Sequence, residues 1–221
     1  PSKTVYDWDI IGYTMGRMLP PHGKPIINEG FERPDIHKLR QCFSSLATTS
    51  GAEICHVVGI TPEARTLEEA LGGKEPLEVI EITQKDYDES VAMLCDEGSG
   101  DIDLVSVGCP HLSLEEIKDI AMYLKGKKVK ENVELWIWTD YAIQAMADVN
   151  GYTDIIEKSG GKLLNSSCPV VMREESHRHS KAMVMNGAKQ AHSIRSQTKA
   201  PVYFGDIYKC LDAAIKGRWE A

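Results

Sequence analysis

The feature that most constrains this 221-residue chain is an apolar run that is followed by a glycine, a cysteine and a histidine. Leu104 to Val107 is short and rich in β-branched residues, which predicts a buried strand. Gly108 ends this run, and Ser113 with a glutamate three positions later has the pattern of a helix capping box. Cys109 and His111 are therefore predicted to lie on a tight strand-to-helix loop. In an α/β protein such loops bind ligands, because helix N-termini and free backbone N–H groups converge there.

Composition excludes several classes of protein. The formal net charge is -8 and the isoelectric point is near 5.4, and the basic residues form no run that would bind nucleic acid. No apolar stretch approaches the length that spans a membrane, and no charged-then-apolar leader indicates a signal peptide. The sequence therefore predicts a cytoplasmic protein whose partners include neither nucleic acid nor a membrane.

The six cysteines are scattered along the chain and include no Cys-x-x-Cys pair. This spacing argues against a disulfide framework and against a local zinc knuckle. Cys42 and Cys210 lie on predicted helices and are expected in the core, and Cys95, near the end of a predicted helix, is expected to be structural. A bound metal would have to take its ligands from distant segments.

Alternating strand and helix patterns predict an α/β fold with a mostly parallel sheet and flanking helices. We expect residues 1–50 to form an amino-terminal helical segment that continues from a missing upstream half. Residues 51–221 are expected to form an α/β domain that carries two candidate metal-binding cysteines. One of its predicted strands spans residues 77–83.

The two candidate cysteines follow predicted strands whose ends would lie at the same edge of a sheet. If the strands ending at Val107, Thr139 and Asn165 are parallel neighbours, Cys109 and Cys168 lie at that edge. Each cysteine precedes a proline, which fixes the backbone beyond a ligand and often accompanies cluster-binding cysteines. The competing interpretation is that both cysteines are small buried hydrophobes.

Other polar residues also lie near predicted strand ends. The turn that contains Asn186, Gly187 and Lys189 could hold an anion through backbone N–H groups and an ammonium group. His56 lies in a predicted strand, where a lone histidine is usually structural. The histidines at 173–180 are expected to belong to a solvated loop rather than to a metal site.

Several segments together resemble the large (catalytic) subunit of the aconitase X family. The match covers most of the chain, and its Gly-Cys-Pro-His and Val-Gly-x-Thr-Pro-Glu-Ala segments are specific in combination. The segments that carry the resemblance are His56 to Ala64, Gly108 to His111 with Leu114 to Glu116, Gly151 to Gly161, Cys168 with the apolar residues after it, and Asn186 to His192.

The resemblance implies aconitase-like domains and an iron–sulfur hydro-lyase that eliminates water from a hydroxy acid, either mevalonate 5-phosphate or cis-3-hydroxy-L-proline. It implies that Cys109 and Cys168 are two of three cysteine ligands of a cluster, with 4Fe–4S favoured over 2Fe–2S. The third ligand would lie in the missing amino-terminal half, so the isolated chain would be inactive. The expected protein partner is a small swivelling-domain subunit of the same enzyme.

The resemblance and the residue patterns together suggest individual roles. His111 and Lys189 are the expected catalytic residues, and the expected substrate-binding residues are His56, Thr61, Asn186, Gly187 and Lys189. The alternative function is a non-catalytic α/β binding or regulatory domain in which every cysteine is structural. A zinc hydrolase is disfavoured, because no histidine pair has the helical spacing that zinc enzymes use.

Overall fold

The structure is a computed structural model that describes residues 3–20, 23–172 and 180–221. It divides into two compact units, Pro1–Ser90 and Val91–Ala221. The sequence-based boundary after residue 50 falls inside the first unit. The reason is that strand β1 (Ile26–Ile27) pairs in parallel with strand β2 (His56–Val57), so residues on both sides of position 50 belong to one unit.

The helices and remaining strands follow from the local patterns, and most helices begin at a side-chain cap such as Asp35, Ser113 or Asp140. Within the described ranges no helix is both long and apolar enough to cross a membrane. The helices of the described residues are α1 (Val5–Met18), α2 (Ile36–Ser50), α3 (Leu67–Leu71), α4 (Gln84–Leu94), α5 (Leu114–Leu124), α6 (Tyr141–Val149), α7 (Tyr152–Ser159), α8 (Pro169–Met172), α9 (Ala188–Arg195) and α10 (Ile207–Lys216). The other strands are β3 (Gly100–Asp101), β4 (Leu104–Leu112), β5 (Glu134–Thr139), β6 (Gly161–Asn165), β7 (Met183–Met185), β8 (Val202–Phe204) and β9 (Arg218–Trp219).

The first unit is built around the close contact of α1 with α2. A Cβ atom on Gly12 would lie 2.1 Å from the backbone oxygen of Cys42, and one on Gly16 would lie 2.5 Å from that of Leu46. Only glycine allows the two helix backbones to approach this closely at these positions. Cys42 is completely buried, so the prediction that it belongs to the core is confirmed.

The second unit contains a five-stranded sheet in the order β6-β5-β4-β7-β8, and every pair is parallel. Helices α9 and α10 both contact β4 and β7, and the side chains of the strands and helices form one buried apolar core. The predicted α/β fold with a mostly parallel sheet and flanking helices is confirmed. Cys210 on α10 is fully buried, as expected of a core residue.

Two local predictions differ from the structure, and a third falls mostly on residues that it does not describe. Residues 77–83 form no strand, although a short antiparallel pair, β3 with β9, forms elsewhere. Strand β4 continues to Leu112, so Cys109 and His111 lie in its irregular extension rather than on a loop. The extension arises because the register with β5 shifts after Val107 and pairing resumes between Leu112 and Thr139. The predicted polar loop with His177 and His179 lies mostly outside the described residues.

Candidate functional site

Cys109 is positioned by a close contact between strands β4 and β5. Gly108 has a φ of 106°, and a Cβ atom there would lie 2.4 Å from the backbone oxygen of Trp138. Glycine is therefore required for the chain to leave the regular β4 ladder at this point. Cys109 follows directly, is half-buried, and is joined to Pro110 by a cis peptide bond.

The turn between β7 and α9 lies directly against the Cys109 segment. The side-chain oxygen of Asn186 accepts a hydrogen bond of 2.9 Å from the backbone N–H of Gly108. A Cβ atom on Gly187 would lie 2.1 Å from the backbone oxygen of Cys109, so a side chain there would displace the cysteine backbone. The anion-binding turn suggested by the sequence therefore also fixes the position of Cys109.

Cys168 lies at the same edge of the sheet, beyond the end of β6. Ser166 has a positive φ of 57°, and its N–H donates to the backbone oxygen of Thr139, 3.1 Å away. The backbone oxygen of Cys168 accepts hydrogen bonds from the N–H groups of Val171 and Met172. These hydrogen bonds form the first turn of the short helix α8. The Cys168 side chain is half-buried.

His111 connects the two cysteine segments. Its Nε2 atom lies 2.9 Å from the backbone oxygen of Ser167, the residue before Cys168. A carbonyl oxygen can only accept, so Nε2 must carry the proton and donate it. The structure thus brings the segment that contains Cys109 and His111 next to the segment that contains Cys168, as expected if the strands ending at Val107, Thr139 and Asn165 are parallel neighbours.

The remaining predicted site residues have different surroundings. Lys189 is exposed on the first turn of α9, and no side chain caps the amino-terminal end of that helix. His56 is half-buried in β2 of the first unit. In that unit the Thr61 hydroxyl accepts from the N–H of Val57 at 3.1 Å and donates to its backbone oxygen at 3.3 Å, so Thr61 closes the turn after β2.

A buried polar network beneath the Cys109 segment was not predicted from the sequence. The Ser106 hydroxyl oxygen accepts hydrogen bonds from Trp138 Nε1 at 3.0 Å and from Gln190 Nε2 at 2.9 Å. Ser106 and Gln190 are fully buried, and Gln190 Oε1 has no partner among the described residues. These hydrogen bonds connect α9 to strands β4 and β5. The isolated serine within the apolar run of β4 was the available signal.

The thiols at the candidate site are less buried than the core thiols. All six cysteines lie in the described ranges, and none forms a disulfide. Burial raises the pKa of the Cys42 and Cys210 thiols well above the usual range, which disfavours the thiolate that binds metal. Cys109 and Cys168 are only half-buried. No group of three histidine, cysteine or carboxylate side chains able to hold a metal occurs in the described part of the chain.

Family comparisons cover both units. The family model described as the Aconitase X third domain matches residues 102–216, and the one described as the second domain matches residues 2–92. The crystal structure of Thermococcus kodakaraensis aconitase X in its holo-form superposes with a TM-score of 0.83 at 31% identity, over 97% of this chain and 53% of that one.

Two curated relatives also match nearly the whole of this chain but only part of their own length. A phosphomevalonate dehydratase large subunit of Methanocaldococcus jannaschii is 34% identical over 94% of this chain and 49% of its own length. A cis-3-hydroxy-L-proline dehydratase of Hypocrea jecorina is 27% identical over 96% of this chain and 36% of its own length. The chain thus spans about half the length, or less, of the curated relatives it matches.

Proposed function

Because the chain belongs to the aconitase X family, we propose that it is the part of a hydro-lyase that supplies two of the three cysteine ligands of an iron–sulfur cluster. The observation that carries this proposal is the arrangement of Cys109 and Cys168 at one edge of the parallel sheet, with His111 joining the two segments. The third ligand would come from the portion of the family protein that lies outside this sequence.

The donor set fits such a cluster. Thiolates are the usual ligands of iron–sulfur clusters, and both cysteines are half-buried side chains outside the apolar core. A 4Fe–4S cluster held by three thiolates, when bound, supplies an iron with an open coordination position that acts as a Lewis acid toward the substrate hydroxyl group. Gly187 and Asn186 hold the Cys109 backbone in place, and the His111 hydrogen bond holds that of Ser167.

Lys189 and the start of α9 are proposed to bind the anionic end of the substrate. The exposed ammonium group lies on the first turn of a helix whose N–H groups have no side-chain cap. Both features attract a carboxylate or phosphate. Asn186 and Gly187 hold the start of this helix beside Cys109, so a substrate bound at the start of the helix would lie next to that cysteine.

His111 is proposed to act in the reaction through its second nitrogen. The hydrogen bond to Ser167 uses Nε2, so only Nδ1 is available to orient a substrate oxygen. His56 and Thr61 remain proposed substrate-binding residues from the first unit. The proposed enzyme is cytoplasmic and works with a small swivelling-domain subunit.

The proposed substrates are mevalonate 5-phosphate and cis-3-hydroxy-L-proline, after the names of the relatives. Four phosphomevalonate dehydratase large subunits are 28% to 36% identical to this chain, and two cis-3-hydroxy-L-proline dehydratases are 27% identical. This difference favours the phosphorylated substrate, for which an exposed lysine beside a helix N-terminus is suited.

The test is turnover by the whole protein, prepared anaerobically with its small subunit and offered each substrate separately. We expect dehydration of one of the two, and loss of that activity in Cys109→Ser and in Cys168→Ser. Cys95→Ser is the matched control, because Cys95 is also half-buried in the second unit and its sulfur accepts from the N–H of Phe204.

Three outcomes would contradict the proposal. Full activity in both site variants would show that the ligand assignment is wrong. Turnover by the 221-residue chain alone would show that no further ligand is needed. Absence of iron and of turnover in the whole protein would favour the alternative, a non-catalytic binding or regulatory domain.

A further inference from the structure

One segment of the first unit carries several apolar side chains that are exposed on the surface of that unit. Residues 65–83 include α3 and the chain that follows it, and none of these residues is buried. Leu77 is fully exposed and Val79 is 85% exposed, while Ile80 and Leu67 are exposed to a lesser extent. Isolated apolar side chains are common on protein surfaces, but a run of this kind indicates an interaction surface.

The segment also has the sequence pattern of a β-strand, but it does not pair with any described strand. Leu77 to Thr83 is rich in β-branched residues, which is the pattern that predicts a strand. Residues 75–82 nevertheless make no hydrogen bond to any described residue, through either backbone or side chain. Residues 75–81 are all exposed, and Ile82 is half-buried.

Helix α3 gives an independent indication that something covers this region. Thr66 caps its amino-terminal end, and Gly72 ends it in the left-handed conformation. The helix has only five residues and buries none of them. Helices this short are not stable without tertiary packing, because nucleation is unfavourable. A helix with two well-formed caps and no buried side chain is expected to pack against another part of the protein.

We propose that residues 77–82 add a strand to a sheet edge contributed by the half of the same subunit that lies outside this sequence. That half exists in the relatives, because the chain covers only 49% of the Methanocaldococcus jannaschii subunit and 53% of the Thermococcus kodakaraensis chain. A partner in the same polypeptide has a high effective concentration, which suits a short strand. The receiving edge has an apolar face for Leu77 and Val79, and basic residues opposite Glu78 and Glu81.

Hydrogen exchange of the whole catalytic subunit, followed by mass spectrometry, tests this proposal without reference to activity or to iron. Peptides that cover residues 77–82 should contain amides that exchange at least roughly 100-fold more slowly than an unstructured peptide of the same sequence, because paired strand amides exchange only on local opening. Exchange at the unstructured rate would overturn the proposal.

Two variants test the proposed contact. Adding the small subunit and raising the subunit concentration test which partner makes it. Val79→Asp should release the protected amides at 77–82, because it places a charge in the proposed apolar contact. Val149→Asp, at a valine of similar exposure (89%) on α6, should leave them protected. Protection that appears only after the small subunit is added, or only as the subunit concentration rises, would instead assign the edge to that partner or to a second copy and would overturn the stated occupant.

Discussion

The His111 imidazole donates a hydrogen bond from Nε2 to the backbone oxygen of Ser167, 2.9 Å away, and thereby joins the segment of Cys109 to that of Cys168. The two cysteines are 59 positions apart in the chain, counted from their residue numbers 109 and 168. Their shared location depends on the parallel order of β6, β5 and β4, and this hydrogen bond fixes the two segments relative to each other. We therefore expect His111 to stabilise the proposed cluster site in addition to its proposed role toward the substrate.

Replacement of His111 tests this stabilising role. His111→Ala removes the donor to Ser167, and a hydrogen bond of this kind contributes about 1 kcal/mol, so iron release to a chelator should become roughly five- to tenfold faster. His111→Gln keeps an N–H donor and should release iron at a rate closer to that of the wild-type protein. Release from His111→Ala at the wild-type rate would show that the bond does not hold the site together.

Gly187→Ala tests the contact between the β7–α9 turn and Cys109. The new Cβ atom would lie 2.1 Å from the Cys109 backbone oxygen, so the turn or the cysteine must move, and overpacking of this kind costs about 1–3 kcal/mol. Urea unfolding followed by tryptophan fluorescence measures the loss. Gly100→Ala is the control, because its Cβ atom would meet only the Tyr203 hydroxyl, at 3.3 Å. Equal midpoints for the two variants would contradict the close contact.

Thiol reactivity should separate the two proposed ligand cysteines from Cys42, Cys55 and Cys210. Burial raises the pKa of Cys42 and Cys210 well above the usual range and that of Cys55 to about 12, so these thiols hold almost no thiolate at pH 8. In metal-free whole protein, iodoacetamide should modify Cys109 and Cys168 first, as measured by peptide mass spectrometry. Reconstitution with iron and sulfide should protect both. Modification of Cys168 at the same rate after reconstitution would argue against its role as a ligand.

Stability of the first unit should depend on the ionisation of Asp7. Partial burial raises the pKa of this carboxyl, but hydrogen bonds from the Thr4 N–H and the Tyr87 hydroxyl outweigh it and lower the pKa below the usual value. The fold therefore favours the ionised form, so this stabilisation is present above the unfolded pKa and is lost as the pH falls through the folded one. Tyr87→Phe should raise the Asp7 pKa, as measured by NMR titration. An unchanged pKa would contradict the contribution of Tyr87.

Much of the second unit could be predicted from local pattern. The strand ending at Thr139 has an apolar run, and the helices after Ser113 and Asp206 each have a capping residue. All three form as predicted. The parallel order of the strands followed from the alternation of strands and helices. The location of Cys109 and Cys168 at one edge could therefore be inferred before their contacts were known.

What could not be predicted depends on contacts between distant residues. The continuation of β4 to Leu112 follows from pairing with Thr139, and the hydrogen bond that the Gly108 N–H donates to Asn186 depends on a turn almost 80 residues away. Neither has a local signal. The strand pattern at Leu77 to Thr83 has no pairing partner among the described residues, so local propensity alone does not produce a strand there.

The most direct measurement of the central claim is the iron and acid-labile sulfide content of the whole protein after anaerobic reconstitution. Wild-type protein and Cys95→Ser should contain equal amounts of both, because Cys95 is not one of the proposed ligands and serine can keep its polar contacts. Cys109→Ser and Cys168→Ser should each lose most of the iron and the sulfide. A full complement of both in either of these two variants would contradict the proposal that the two cysteines hold an iron–sulfur cluster.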